Sequence, residues 1–398
     1  MKNLLIAQKF LFVAVAVSIP VVVLSYFFIA DKNRSIELTR AELDGTQYLR
    51  PLRKLALDVA AHRDLASAVL AGDASYKPEL DKLTATIDDD FKDLAETQAK
   101  RELAAPEDVQ SVQADWQAIK AKVAATTREE SFEQHAHYLA KIGQFAALIA
   151  NESNLVLDSD VDSHYLIDAL VFKLPKLDTE ISNARALGAA FTAWHGQGDK
   201  ASPLRGELAA SAVKINDALY ETNHFIRFAV GKAHPLTEEA LGAQVASNIK
   251  AVNAFSTILV EKVVNGSGES VPLKDYFAAA SAPLDATGKL WSDTVEELDR
   301  LLDERLTGLH RSVEIELFVV GLAMILTVGF LFLVARAIVK PIKHLSEVAD
   351  RISLGELDAI ININSNDEIG ELGERFRRMQ VSLKGAMDAL ERRDEGSQ

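Results

Sequence analysis

Two kinds of hydrophobic pattern run along this chain. Two stretches are continuously apolar and carry no charge: Phe10 to Ala30, through VAVAVSIPVVVLSYFFIA, and Leu317 to Val334, through FVVGLAMILTVGFLFLV. Each approaches the roughly 20 apolar residues that a hydrocarbon core of about 30 Å requires, so both are predicted to cross a membrane as helices. Elsewhere apolar residues recur at helical spacing, as in Leu52, Leu55, Val59, Leu65, Val69 and Leu70. No run alternates as a half-buried strand would. Helix breaks are expected at Gly72-Asp73 with Pro78, at Pro106, in the acidic stretch Asp158 to Asp162, at Gly196 to Pro203, at Pro235, and at Asn265 to Pro272. Pro175 falls inside an apparent helix and predicts a kink. The fold class is therefore all-α. The first outer helix, residues 31 to 71, would be ~60 Å long at about 1.5 Å per residue, and the last, from about 273 into the second span, comparable. Two antiparallel helices of that length outreach one ordinary four-helix bundle. Either two four-helix bundles stack along the shared pair, or one elongated bundle forms with kinks.

Charge gives these segments an orientation. Lys2 and Lys9 precede the first span, and Arg336, Lys340 and Lys343 follow the second. The excess of basic residues on those flanks puts both termini in the cytoplasm and residues 31 to 315 outside. Lys32 and Arg34 oppose this locally, but long translocated domains respond little to such charges. The alternative, a cleavable signal peptide, needs a shorter apolar core and a small-residue cleavage site; the run is too long and no such site is clear. A net charge of −15 argues against nucleic-acid binding, which concentrates Lys and Arg on one face. With no cysteine, a disulfide framework, thiol chemistry and Cys-rich zinc sites are all excluded.

The most specific pattern follows the second span. Ile338, Ile342, Leu345, Ala349 and Ile352 alternate 4-3-4-3 as a coiled-coil seam does, with Pro341 in its first turn. Gly355 then breaks the helix. Leu357, Ile361 and Ile363 are apolar residues in an otherwise polar connector, and a second seam runs Ile369, Leu372, Phe376, Met379, Leu383, Ala386 and Leu390. Glu368 stands just before that seam, with a carboxylate at the positive end of the helix. A membrane span, an amphipathic helix, a connector with Gly355-Glu356-Leu357 and a second helix opened by DEIGEL (Asp367 to Leu372) resemble the HAMP family. The resemblance implies a homodimeric, parallel four-helix bundle at residues 336 to 390, with two packings close in energy. The chain then divides into an N-terminal segment 1–9, a span 10–30, an outer sensor domain 31–315, a span 316–335, the HAMP-like module 336–390 and a tail 391–398.

In the outer region, GTQYLRPLRKLALDVAAHRDLASAVLAGD and ESNLVLDSDVDSHYLIDALVFKLPKLDTEISNARALGAAF resemble the helical sensor domains of some bacterial methyl-accepting chemotaxis proteins. The HR and AR pairs also resemble nitrate-sensing helical domains, in which arginines on facing helices hold the anion. Arg63, Arg185 and Arg227 lie within apolar stretches (HRDLASAVL, NARALGAAF, HFIRFAV), where a guanidinium must reach water or find a partner. Their planar forks suit a carboxylate or nitrate ligand; ion pairs with the many Asp and Glu are the competing use. Asp158, Asp160 and Asp162 have the spacing that opens an EF-hand loop, but Ser163 and Ala169 replace its Gly and Glu. Capping of the next helix by Asp162 or Ser163 is the expectation instead. His62, His135, His137, His164 and His224 offer no ligand spacing except His135-x-His137, whose two rings would point to different helix faces, so no metal is expected.

No Walker loop, nucleotide-binding glycine motif, GxSxG or HExxH occurs, so no enzyme activity and no cofactor are expected in these residues. The expected partners are a second copy, the lipid bilayer, a small extracytoplasmic ligand of anionic character, and a downstream cytoplasmic signalling domain or partner. The resemblances imply a bacterial inner (cell) membrane. Three outputs stay open: a chemoreceptor-type transducer, the sensor half of a membrane histidine kinase or diguanylate cyclase, or a stand-alone HAMP receptor acting through a partner.

Overall fold

The computed structural model describes residues 6–101, 103, 106–123, 125–158, 160–193, 201–232, 235–266 and 271–395. Among them the fold is all-α. Helix α1 runs Ile6–Leu70, α2 Lys77–Arg101, α3 Pro106–Lys122, α4 Arg128–Glu152, α5 Val161–Asp168, α6 Leu174–Ala193, α7 Ala201–Lys232, α8 Pro235–Ile258, α9 Leu273–Ser353 and α10 Glu368–Glu395. The chain divides into two compact units, Arg34–Leu309 and the remainder, residues up to Asn33 with those from His310 onward.

In the unit Arg34–Leu309, the helix ends follow local chemistry. Helix α1 closes with Gly72 at φ +114°, in the left-handed region open to glycine. The Gly72 and Asp73 amides donate to the carbonyls of Val69 and Ala68, so the orphaned last turn is satisfied. Helix α3 starts at Pro106 as expected. One break not anticipated above separates α3 from α4. Thr127 accepts from the Glu130 amide at 3.2 Å while the Glu130 carboxylate accepts from the Thr127 amide. That reciprocal box was legible as Thr-x-x-Glu. The irregularity expected at Pro175 is a π-helical turn, Ala169–Lys173, just ahead of it. Proline has no N–H to return to the carbonyl four residues back, and the ladder there loosens by a residue. The expected break at Gly196 lies outside the described residues, as do residues 267–270 of the last one.

Two large hydrophobic clusters and a small one around Leu65, Ala66 and Leu80 lie among the described residues of this unit. The larger gathers Tyr48, Leu52, Leu55 and Val59 of α1 with Phe91, Trp116, Ile142, Phe145 and Leu170, and with Leu290 and Val295 of α9. The second gathers Leu177, Ile181 and Phe191 of α6 with Leu208, Ile215, Phe255 and Tyr276. Gly188 lies where α6 meets Tyr276, since a Cβ there would collide with the phenol oxygen. That hydroxyl donates to the Ala184 carbonyl at 2.6 Å.

In the other unit, both predicted spans are helical, within α1 and α9, and each is long and apolar enough to cross a membrane. Leu24 and Ile325 are each 70% exposed, an arrangement that lipid covers and water would penalise. Beyond the second span, Gly355 takes φ +92°, and the Gly355 and Glu356 amides donate to Ile352 and Arg351 carbonyls. The connector folds back: Ala359, Ile361 and Ile363 bury against Leu345 and Val348, with Ile352, Ile369 and Phe376 packed around them. The Gln380 amide of α10 donates to the carbonyls of Leu357 and Ala359 at 2.9 and 2.7 Å. Glu368 opens α10 and puts its carboxylate in the first turn, as read from sequence, and the residue that caps the helix is Asp367. Its Oδ1 accepts from the amides of Ile369 and Gly370, and hydrogen bonds from Ser365 and these amides hold its carboxyl below the usual range. Ile342 and Leu357 are half-buried, whereas Leu372, Met379 and Leu383 stay exposed in the single chain. The side chain of Leu390 lies outside the described set.

Candidate functional site

The residues of interest lie in the unit Arg34–Leu309, on faces set by helical spacing. Along α1, Leu49, Arg53, Ala56, Ala60 and Arg63 recur every three or four positions; along α6, Asp178, Ser182 and Arg185 do the same. These faces meet. Arg63 is only 1% exposed and every side of its guanidinium is used. Nε donates to Asp64 Oδ1 at 3.3 Å, Nη1 to Asn183 Oδ1 at 2.7 Å and Nη2 to Ser182 Oγ at 2.9 Å, with the Phe132 ring 4.9 Å away. Arg185 Nε donates to Asp64 Oδ2 at 2.6 Å and Nη1 to Ser281 Oγ of α9 at 3.3 Å. Ser182 Oγ donates to Asp64 Oδ2 at 3.0 Å. Two of the three arginines singled out by sequence thus converge, and Asp64 lies between them where an external anion would. Burial pushes the Arg63 guanidinium down while Asp64 opposes the shift. The third, Arg227, is exposed on α7 beside buried Ile226 and is not brought to the others.

Sequence reasoning missed a second pair. Arg53 and Asp178 approach to 2.7 Å, each with a side chain 9% exposed. Beyond this contact, Arg53 Nη2 and both Asp178 oxygens are buried with no hydrogen-bond partner. Arg53 Cζ stacks 4.9 Å from the Trp291 ring, and the indole N–H donates to the Leu170 carbonyl at 3.1 Å, within the π-helical turn. Burial pushes the Asp178 carboxyl up, against the pull of Arg53. The 178/182/185 spacing was the available signal. It went unread because Asp178, in KLDTE, looks like an ordinary surface carboxylate.

A cavity of about 130 Å³ adjoins this pair, with Arg53, Asp178, Ser182 and Arg185 in its wall and Leu52, Ile142, Leu170 and Trp291 among its apolar lining. A second, wider cleft of about 410 Å³ includes Asp64, Tyr76, Lys82, Phe277 and Ser281. Arg185 lines both.

Two histidines stand behind the cluster. His62 Nδ1 and His135 Nε2 lie 2.9 Å apart, both rings buried, with Trp116 edge-on to His62. His135 Nδ1 lies 2.7 Å from the Ser131 carbonyl, which accepts only, so that nitrogen carries the proton in the neutral pair. His62 Nδ1–H then donates to His135, while His62 Nε2 lies 3.1 Å from Thr84 Oγ1, whose hydroxyl also reaches the Leu80 carbonyl at 2.9 Å. Burial, then the neighbouring ring, pushes His62 down to about 3, and burial takes His135 to about 4. The pair is neutral near pH 7. His137 is exposed on the opposite face. Among the described residues no group of three or more His, Cys, Asp or Glu is placed to hold a metal ion.

The acidic turn departs from expectation. Helix α5 begins at Val161, ahead of Asp162, and Asp158 and Asp160 are engaged by Arg305 of α9 at 3.2 and 2.7 Å instead of capping. The half-buried Arg305 guanidinium offers them charge-assisted hydrogen bonds, which are stronger than a neutral capping bond.

Residues 333–385 match the HAMP domain, so the chain carries one. Over 90 residues it is 36% identical to methyl-accepting chemotaxis protein McpA of Bacillus subtilis, covering 23% of this chain and 14% of that protein. Over 73 residues it is 36% identical to heme sensor protein HssS of Staphylococcus saprophyticus, covering 17% and 16%. The matched parts are thus a small fraction of those relatives' own lengths. A solved structure of the NasR transcription antiterminator shares the fold, with a TM-score of 0.52 at 14% identity over 90% of this chain and 95% of that one.

Proposed function

With a HAMP domain behind two candidate membrane spans, we propose that this chain is a homodimeric two-pass receptor of a bacterial inner (cell) membrane. It senses a small ligand with an anionic group in its outer helical domain and relays binding inward as chemoreceptors do, with both termini cytoplasmic. The observation that supports the ligand reading is the pair Arg53 and Arg185 in the wall of a cavity, with buried Arg63 sharing Asp64 with Arg185. Fixed guanidinium donors in a water-poor site favour an anionic group over its hydrated state. Helix continuity supplies the route. Arg53 and Arg63 share α1 with the first span, and Trp291 shares α9 with the second span and the first HAMP helix. A ligand that binds one arrangement of α1, α6 and α9 better shifts the population toward it, and a bistable HAMP bundle passes that shift on. Similarity to a sensor protein as well as to a chemotaxis protein supports the second reading, the sensor half of a membrane kinase or cyclase; the output lies with a downstream domain or partner.

Two expected results test this. Full-length protein in lipid nanodiscs melts at higher temperature with its ligand present; at about 100 times Kd the gain is about 2.7 kcal/mol. Arg185→Ala abolishes that gain. A panel of nitrate, small dicarboxylates and amino acids that leaves the melting temperature unmoved refutes the ligand site. For the relay, single cysteines replacing the exposed seam residues Leu372 and Met379 form disulfide-linked dimers in membranes, while one replacing outward Glu371 does not. Equal crosslinking at all three positions counts against a seam.

A further inference from the structure

The cavity beside Arg53 and Asp178 carries chemistry of both signs, and its charges are already balanced. Arg53 faces Asp178, while Arg63 and Arg185 share Asp64, with Glu180 close enough to act on Arg63. A bare anion gains the guanidinium groups but adds one net charge and competes there with Asp178 and Asp64. A ligand carrying both charges adds none. Arg53 Nη2 and Asp178 Oδ2 have only each other, and Asp178 Oδ1 is buried with no partner at all, so this ion pair is the least satisfied polar group in the wall. A donor of that kind suits a carboxylate, and the acceptors suit an ammonium group. Because Arg53 and Asp178 are only 2.7 Å apart, the ligand's two charged groups must be neighbours, on one carbon. The rest of the lining is apolar, with Leu52, Ile142, Leu170 and Trp291. A cavity of about 130 Å³ is slightly smaller than the roughly 150 Å³ that holds a benzene molecule, and suits an occupant about the size of alanine to valine.

We infer that this cavity binds a small aliphatic α-amino acid, with Arg53 holding its carboxylate, Asp178 its ammonium group and the apolar wall its side chain. This rests on the proposal that the arginines of this domain receive an anionic group, and adds Asp178 as the residue that selects for the amine.

Isothermal titration of the full-length protein in nanodiscs, with matched ligands, tests it. L-Alanine and L-valine bind at least tenfold more tightly than propionate and isobutyrate, which lack the ammonium, and than 4-aminobutyrate, whose charges are separated. Asp178→Asn weakens the amino acids at least tenfold and does not weaken propionate, because it frees Arg53 of its counter-ion. If propionate or nitrate binds as well as valine to the unaltered protein, the amino-acid assignment is overturned and the anion reading survives. If none of the ligands binds, both fall. Valine binding that Asp178→Asn leaves intact also overturns the assignment. Should that variant not fold, the matched ligands on the unaltered protein still decide.

Discussion

Asp64→Ala is expected to destabilise the outer helical domain by about 3–5 kcal/mol, the loss that follows when a buried charge is stripped of its counter-ion. Asp64 and Arg63 are each 1% exposed, and the same carboxylate also takes Arg185 Nε and the Ser182 hydroxyl. Removing it leaves two guanidinium groups with neutral hydrogen-bond partners and only Glu180 near enough to offset Arg63. Asp64→Asn keeps an acceptor but not the charge, and should fall between. The measurement is denaturant unfolding of the full chain in detergent, followed by far-ultraviolet circular dichroism. A loss under about 1 kcal/mol would mean that water reaches Arg63 and the cluster is far less dry than its burial implies. The variant also probes the site. An anion able to occupy the space left by Asp64 should restore part of the lost stability to Asp64→Ala and do less for the unaltered protein.

The second large effect is a pH dependence at Glu42. Its carboxylate accepts from Arg305 at 3.1 Å and Asn154 at 3.3 Å, while Arg305 also serves Asp158, Asp160 and the Ser163 hydroxyl. One guanidinium therefore faces three carboxylates. Burial first, and Asp158 next, push Glu42 up to about 7, with Arg305 and Asn154 pulling the other way. The folded protein thus holds this proton more tightly than the unfolded chain, whose glutamate titrates near 4.5. The stabilisation is complete below the unfolded value and is lost as pH rises through the folded one. The expected loss is about 2 kcal/mol across that window. His62 and His135 act oppositely. Their folded values are depressed, so their contribution is present above the ordinary histidine range and fades as pH falls. The diagnostic is therefore the difference between Glu42→Gln and the unaltered protein. The glutamine variant, which cannot ionise, should lack the decline between about pH 5 and 8. Parallel stability curves for the two proteins would show that Glu42 does not hold its proton in the fold.

Much of the architecture was legible because it is local. The spans follow from the absence of charge over a membrane's length, and the HAMP seams from a 3-4 repeat that any helix must respect. Gly72 and Gly355 announced helix ends that only a glycine takes without strain. The break before α4 could also have been read, from Thr127 and Glu130. Arg63 and Arg185 were conspicuous as charges in apolar stretches, and they do meet. Arg227 sits in an equally apolar stretch, yet rotation by one residue from buried Ile226 sends it to solvent. Its local pattern does not differ from theirs; the neighbours across the helix do.

By itself, then, the sequence determined the helical class, the two membrane-length helices, the HAMP module and the periodic faces along each helix, since all depend on residues within a few turns. Only the tertiary structure decided which faces meet: Arg53 with Asp178 across 125 residues, His62 with His135 across 73, and Glu42 with Arg305 across 263. Helical periodicity specifies a side chain's direction relative to its own axis. Each helix's rotation against its neighbours is set by how all the apolar faces bury together, and that rotation turned an unremarked aspartate, Asp64, into the counter-ion of two arginines.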